Sequence, residues 1–419
     1  MGIIILPAIP ERIGTTMKVL IAHPGTQYSH QLAIQLQKAG LLYRFYTCLA
    51  ISSKSITGKL LKKLPLAIYN KLSNRIIEEV PPSKIRNFTA LELYTVNTKP
   101  NTIQQDKKLY KRNKRFQELI PDAALKEVDV VIGFDTSSWI LAERCKKFNI
   151  KFILDVSIGH PISKEIIYQK LFRDYPEWKE QILPKDKIHI EEEAKEMLLA
   201  DLIVVPGNFV KQTLLENSVP EQKIKLNQFG TITDQFRNDI TKKQNESNKI
   251  SFLFMGSFTA RKGLPFLLNA WAEMDTSNAE LVMAGYGEIP DGIIIPPNVS
   301  NRGVVAKDER KELFYSCDVF VFPSFFEGLA QVQIEAMAAG LPIIGTNNSG
   351  AEDIVDNGIN GIIIETGNKE QLKTALRFFI NNSSLIKNMG IAAQKKAEEF
   401  TWDNYGRRWK NILYDFIEN

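Results

Sequence analysis

Short apolar runs alternate with stretches of helical periodicity along most of this chain. The runs at 18–22, 42–48, 128–133, 151–156 and 202–206 are rich in Val, Ile, Leu and Phe, and most give way to turn-forming residues. Largely apolar rather than alternating, they read as strands buried on both faces of a parallel sheet. Between them, 29–39, 137–148, 188–200 and 208–217 carry the pattern of amphipathic helices, the first capped near Ser29. A polar stretch at 239–249 interrupts the alternation. Beyond it the pattern resumes, with strands at 251–255, 279–284, 299–303 and 319–322 and helices at 263–274, 308–316 and 329–339. Gly340 caps the last of these helices and Pro342 prevents its continuation. This βα alternation predicts an α/β chain of two Rossmann-like domains, 17–238 and 250–399, joined by the linker 239–249. Residues 1–16 read as a tail, and 400–419 as a final amphipathic helix.

Length agrees with two domains, since 419 residues exceed what one hydrophobic core usually serves. A net charge of +5 and a pI near 8.8 give a mild affinity for anions without choosing among phosphates, nucleic acid and an acidic membrane. Cys48, Cys145 and Cys317 lie far apart without metal-ligand spacing, which suits a reducing, cytoplasmic compartment. The apolar run at 3–7 is too brief for an export signal or a membrane span. Two basic stretches, 54–86 and 107–115, are compatible with peripheral contact to an anionic membrane surface, although solvated helix faces produce the same pattern and are the favoured reading. Aromatic residues are too sparse among them to argue for nucleic acid.

The candidate chemistry collects just after the strands. Glu327 and Gly328 follow the strand at 319–322, and Glu335 lies eight positions after Glu327, about two turns into the next helix. An arbitrary glutamate pair at this spacing is usually solvated. In a doubly wound sheet, however, ligands bind beyond the carboxyl ends of the strands, where helix N-termini offer free N–H groups to anions. Arg261 and Lys262 stand between the strand at 251–255 and its helix, placed to neutralise a phosphate, with solvated loop cations as the plainer alternative. His160 follows the strand at 151–156, where it could transfer protons, bond sugar hydroxyls or simply satisfy loop backbone. Asp155, within that strand, reads as structural. The first loop carries His23 and Gly25 but no G-x-G-x-x-G, which removes the main support for a hydride-transfer enzyme.

The wording around Glu327, FPSFFEGLAQVQIEAMAAGLPII, resembles the E-x7-E signature of the retaining nucleotide-sugar glycosyltransferases of family 4, which have the GT-B fold. The resemblance extends over FMGSFTARKG at 254–263, MAGYG at 283–287, Asp318, Gly350 and DNGING at 356–361, and so covers roughly 251–375. Ser257 stands where members often have arginine, and Leu329-Ala330 where Phe-Gly is common. The resemblance implies two domains facing across a cleft, with the final helix packing back on the N-terminal one.

It further implies a hexosyltransferase-type enzyme moving a sugar, with retention, from a nucleoside-diphosphate sugar to an acceptor hydroxyl on a glycan or lipid-linked acceptor, in surface glycan or glycolipid synthesis. The enzyme would work in the cytoplasm or on the inner face of the membrane. On this reading the donor site comprises Gly256, Arg261, Lys262, Glu327, Gly328, Leu329, Ala330 and Glu335. Glu335 would hold the ribose, Glu327 and the amides after it the sugar, and Lys262 the leaving phosphates. His160 would act from the facing domain, with His23 and Gly25 in the acceptor-side loop. No cofactor and no metal are expected, since other retaining GT-B enzymes do without one and no D-x-D occurs. A sugar-nucleotide epimerase of similar build and a non-catalytic basic binding module are the alternatives.

Overall fold

A computed structural model describes residues 17–26, 28–61, 73–95, 103–181, 185–237 and 249–418. The tail at 1–16, the part of the first basic stretch at 62–72 and nearly all of the linker lie outside the described residues.

Two wholly parallel sheets organise the described chain. The first contains β1 (Val19–Ala22), β2 (Leu42–Thr47), β3 (Ile85–Asn87), β4 (Val130–Phe134), β5 (Lys151–Asp155), β6 (Leu202–Val205) and β7 (Ile224–Leu226), in the order β3-β2-β1-β4-β5-β6-β7. The second contains β8 (Ile250–Met255), β9 (Ala279–Ala284), β10 (Val299–Asn301), β11 (Val319–Phe322), β12 (Ile343–Thr346) and β13 (Gly361–Ile364), ordered β10-β9-β8-β11-β12-β13. Every residue of β1, β4, β6 and β11 is buried, which is why these strands carry no polar alternation. In each sheet the order reverses once beside the first strand, between β1 and β4 and between β8 and β11. Loops leaving such a pair diverge to opposite faces and open a crevice between them.

Helices α1 (Ser29–Lys38), α2 (Ile103–Leu119), α3 (Trp139–Lys147), α4 (Pro161–Asp174), α5 (Lys187–Leu199) and α6 (Asn208–Glu216) belong to the first sheet. Helices α7 (Leu264–Ala272), α8 (Lys307–Ser316), α9 (Gln331–Ala338), α10 (Lys369–Asn381) and α11 (Ser383–Ala397) belong to the second. Ser29 is the first residue of α1 rather than its cap, and its hydroxyl donates to Thr26 O at 2.7 Å. The basic stretch at 54–86 also differs from a long surface helix. Its described part is a six-residue helix, Ile56–Leu61, and a short strand, Ile76–Ile77, paired with Ile51–Ser52. β-branched Ile76 and Ile77 favour extended backbone. The basic run at 107–115 is amphipathic rather than wholly solvated, for Asn113 is buried beside Phe116 and Gln117.

The last helix, α12 (Trp402–Glu418), presents Tyr405, Trp409 and Leu413, four residues apart on one face, to the interior. It packs on α1, where Gln35 and Lys38 both bond Asp403, and Arg408 donates to Asn227 Oδ1 at 2.7 Å and Gln228 O at 2.6 Å. Asp155 joins three distant segments. Its carboxyl accepts from Tyr28 at 3.1 Å and from Tyr405 at 3.3 Å, and burial raises its pKa well above the carboxylate range. It is a structural tie, held away from solvent. All three cysteines are free and buried.

Candidate functional site

The crevice of the second sheet is built by the loops that follow β8 and β11. They are stitched together before any ligand arrives. Phe325 N and Ser324 Oγ donate to Arg261 O at 2.8 and 3.0 Å, and the Arg261 guanidinium donates to Phe326 O at 2.8 Å. Gly263 makes this approach possible. Its φ is +77°, and a Cβ there would stand 2.0 Å from Pro323 O.

Within this frame Glu327 accepts from Arg261 at 3.0 Å and is ion-paired with Lys262, all three side chains being largely buried. Burial alone would raise the Glu327 pKa, but Lys262 and Arg261 overcome it and hold the carboxyl at about 2. Lys262 is pushed below its usual value, chiefly by desolvation, with Glu327 opposing and Arg261 assisting. Glu327 is therefore ionised at any ordinary pH and cannot deliver a proton. Two cations against one carboxylate leave a net positive charge in a desolvated crevice, a setting that favours an anion. Glu327 holds those cations in place meanwhile.

Glu335 lies elsewhere on the same βα unit and is engaged differently. Near-buried on α9, it is in ionic contact with Arg310 of α8, without a hydrogen bond of good geometry; the Arg310 Nε has no partner, and the guanidinium carbon lies 5.3 Å from the Phe236 ring. Sequence reading missed Arg310, because a basic residue in the charged stretch KDERKE carries no distinguishing signal. Leu329 and Ala330 are buried, and Ala330 occupies the N-cap of α9, where it supplies no side-chain acceptor for the amides of the first turn. Gly256 follows β8 with little against it, the nearest atom to an added Cβ being the Phe322 ring at 3.5 Å.

The loop after β5 of the first sheet meets Gly328 so closely that a Cβ there would stand 1.9 Å from Ser157 O. That loop also carries His160. The structure places His160 as the N-cap of α4, where its Nδ1 accepts from Ile162 N at 3.3 Å and its own N–H donates to Thr213 Oγ1 at 2.9 Å. Burial lowers its pKa to about 4, so the ring is neutral near pH 7 and not poised for proton transfer. With Nδ1 accepting, the neutral ring carries its proton on Nε2. His23 and Gly25 lie at the end of β1, and both ring nitrogens of buried His23 lack hydrogen-bond partners.

Elsewhere Asp353, near β12, reaches the start of α6. Its carboxylate accepts from Asn208 N at 3.0 and 3.1 Å and from the Asn208 side chain at 2.8 Å. Phe209 and Phe326 meet edge to face beside this clasp, with ring centroids 5.2 Å apart. No sequence signal singled out the pair, because its members lie 145 positions apart. Among the described residues no group of His, Cys, Asp and Glu is arranged to hold a metal ion, and no helix is long and apolar enough to cross a membrane.

Residues 235–396 match the family model described as Glycosyl transferases group 1. An uncharacterized glycosyltransferase of Methanocaldococcus jannaschii is 31% identical over 164 residues, 38% of this chain and 46% of the relative. The capsular polysaccharide biosynthesis glycosyltransferase CapM of Staphylococcus aureus is 25% identical over 248 residues, 54% of this chain and 65% of that protein. The chain thus spans about half the length of the first curated relatives, at 46%, 43% and 58%. Among solved structures, sucrose-phosphate synthase from Thermosynechococcus elongatus superposes with a TM-score of 0.63 at 16% identity, over 96% of this chain and all of that one. Anabaena HepE in complex with UDP gives 0.61 at 14%, also over 96% of this chain and all of that one.

Proposed function

We propose that this chain, whose fold is GT-B with two Rossmann-like domains and whose residues 235–396 match the group 1 glycosyltransferase model, is a retaining glycosyltransferase that moves a sugar from a nucleoside diphosphate to an acceptor hydroxyl. The observation that carries this reading is the Arg261–Lys262–Glu327 cluster at the point where the order of the second sheet reverses. When the bond between the anomeric carbon and the phosphate oxygen breaks, negative charge grows on the diphosphate. Lys262 and Arg261, already desolvated and held in position, meet that charge without reorganising. They supply the positive charge that the leaving group requires.

Glu327 then has two tasks, to orient the cations and to accept from a hydroxyl of the transferred sugar, to which the first amides of α9 donate. Glu335 is assigned to the ribose hydroxyls, and Arg310 to holding its carboxylate in place. His160, with its proton on Nε2, donates to a sugar hydroxyl instead of shuttling protons. Retention rests on the family resemblance, and it agrees with a Glu327 carboxylate that is occupied by two cations. The acceptor is a glycan or lipid-linked molecule, and a role in surface glycan or glycolipid synthesis follows the likeness to CapM. Peripheral contact with the inner face of a membrane draws support from exposed Leu93, Tyr94 and Ile103, which line one surface depression with Lys107, Lys108 and Lys111 or lie beside it.

The test is to offer UDP-, GDP- and ADP-sugars and measure free nucleotide diphosphate. Slow release from one class, abolished in Lys262→Ala, is expected. A folded protein that releases nucleotide from none of them, with or without a mixed glycan acceptor pool, would overturn the reading.

A further inference from the structure

Helix α6 begins on Gly207, which has no side chain to cap it. The acceptor comes from the other domain. Asp353, which follows β12, directs its carboxylate at the first amide of α6, accepting from Asn208 N with both oxygens at 3.1 and 3.0 Å and from the Asn208 side chain at 2.8 Å. Resting on the glycosyltransferase reading above, we propose that Asp353 is a positioning residue, a latch that fixes the first domain against the donor loop 324–328 at the spacing that transfer requires.

Gly207 is shaped to that carboxylate. Its φ of −172° and ψ of 170° are extended backbone that any residue adopts, so no conformational need calls for glycine there. A Cβ would nevertheless stand 2.4 Å from Asp353 Oδ2, and the three atoms nearest to it all belong to the Asp353 carboxyl group. The first domain therefore leaves room at this position for an acid of the second. Charge agrees with shape, since α6 turns its positive end toward Asp353, and charge-assisted hydrogen bonds are about twice as strong as neutral ones. Burial raises the Asp353 pKa to about 6, so the group is ionised near pH 8.

The latch is joined to the donor loop on both sides of the interface. In the second domain Asn348 O accepts from Glu327 N at 3.0 Å, and the Asn348 side chain donates to Phe325 O at 3.1 Å, so the segment leading to Asp353 is bonded to the loop that carries Glu327. From that loop the Phe326 ring reaches into the first domain. It meets Phe209, the residue after Asn208, edge to face, and a Cβ on Gly159 would stand 2.7 Å from it, while Phe326 O is held by Arg261 at 2.8 Å. Holding α6 through Asp353 thus keeps the loops around Glu327 and His160 at one spacing. An open groove of about 640 Å³ runs beside the latch between α4, α6 and the loop 347–352, so the bonds of Asp353 span a corner that packing does not fill.

The test reads the spacing of the domains directly, by double electron–electron resonance on the full chain near pH 8, with nitroxides at Lys170→Cys and Ser384→Cys. Both are exposed helix positions, and the native cysteines are buried. Asp353→Asn and Gly207→Ala, one in each domain, should each broaden the distance distribution. The reciprocal exchange, Asp353→Asn with Asn208→Asp, should narrow it again, because the side-chain amide at 353 then donates to the carboxylate at 208. Release of free nucleotide from whichever of the UDP-, GDP- and ADP-sugars the wild type hydrolyses should fall about tenfold in the two single variants, the weight of a hydrogen bond to a charged group, and recover in the exchange. Affinity for the corresponding nucleoside diphosphate, by calorimetry, should stay the same. A distribution that neither single variant broadens, or that the exchange leaves broad, would overturn the inference whatever the rates. Absence of nucleotide release in the wild type, with distances responding as expected, would instead count against the transferase reading alone.

Discussion

The crevices of the two sheets occupy the same topological position and are furnished in opposite ways. In the second, two cations surround one carboxylate whose pKa is drawn down to about 2. In the first, Glu193 pairs with Lys185, but Asp135 and Glu196 are buried near the strand ends without a cation in direct contact. Asp135, at the end of β4, accepts from Ser157 N at 3.1 Å and Ser157 Oγ at 2.8 Å, and burial raises its pKa to about 6. Glu196 accepts from Thr136 N and Ser138 N at 2.5 and 2.8 Å, and burial raises it well above the usual range. One architecture therefore gives one crevice with a net positive charge and another in which buried acids are held by hydroxyl and backbone donors. What separates them is the loops, not the sheets.

The largest effect should come from removing the charge that distinguishes the second crevice. Lys262→Ala should lower turnover about 10² to 10³-fold at saturating acceptor, the usual cost of losing one preorganised electrostatic contact, with a smaller change in the Michaelis constant for donor. A variant with near wild-type turnover and only weakened donor binding would show that the cation serves the ground state alone.

Gly328→Ala should separate the two crevices physically, since its Cβ would stand 1.9 Å from Ser157 O. Displacing the loops by about 1 Å is expected to cost up to ~10²-fold in transfer. Nucleotide affinity, measured by calorimetry, should change little. Equal loss of both would mean that Gly328 serves the second domain internally.

The opposite pKa shifts predict opposite responses to pH. Glu327, held at about 2 against an ordinary 4.5, contributes stability that is complete above pH 4.5 and lost as pH falls toward 2. Asp135, raised from 3.8 to about 6, contributes stability that is complete below pH 3.8 and lost as pH rises through 6. Each is worth at most about 3 kcal/mol by linkage. Thermal melts from pH 3 to 7 should show Asp135→Asn flattening the curve between about 4 and 6, and Glu327→Gln flattening it below about 4.5. An Asp135→Asn protein that retains the full wild-type slope would break the contrast.

The smallest effect sharpens the role of His160. His160→Ala should cost about 1 kcal/mol by loss of a helix cap, and His160→Asn should restore that stability, because asparagine is a strong N-cap. If Asn restores the rate of transfer as well, His160 is a cap and nothing more.

How much of this was legible follows the distance between interacting residues along the chain. The strands 279–284 and 319–322 stand where the apolar runs placed them; the second is buried and apolar throughout, and the first admits Glu280 only at a partly exposed position. The first basic stretch did not follow its pattern. A periodic mix of Lys and Leu does not distinguish a helix from a short helix followed by a turn and a strand, and β-branched Ile76 and Ile77 were the only local hint. Arg261, Lys262 and Glu327 could be singled out because each abuts the carboxyl end of a strand, the place where this topology binds ligands.

Sequence alone determined the α/β alternation and the acidic and basic loops after the strands, since these depend on local periodicity and composition. Tertiary structure decided the electrical state of those loops. It paired Glu335 with Arg310, spent His160 Nδ1 on a helix cap, tied Asp155 to tyrosines 127 and 250 positions away, and left His23 without a partner. Desolvation and charge proximity fix whether a carboxyl is ionised or an imidazole is charged, and both depend on which segments the fold brings together.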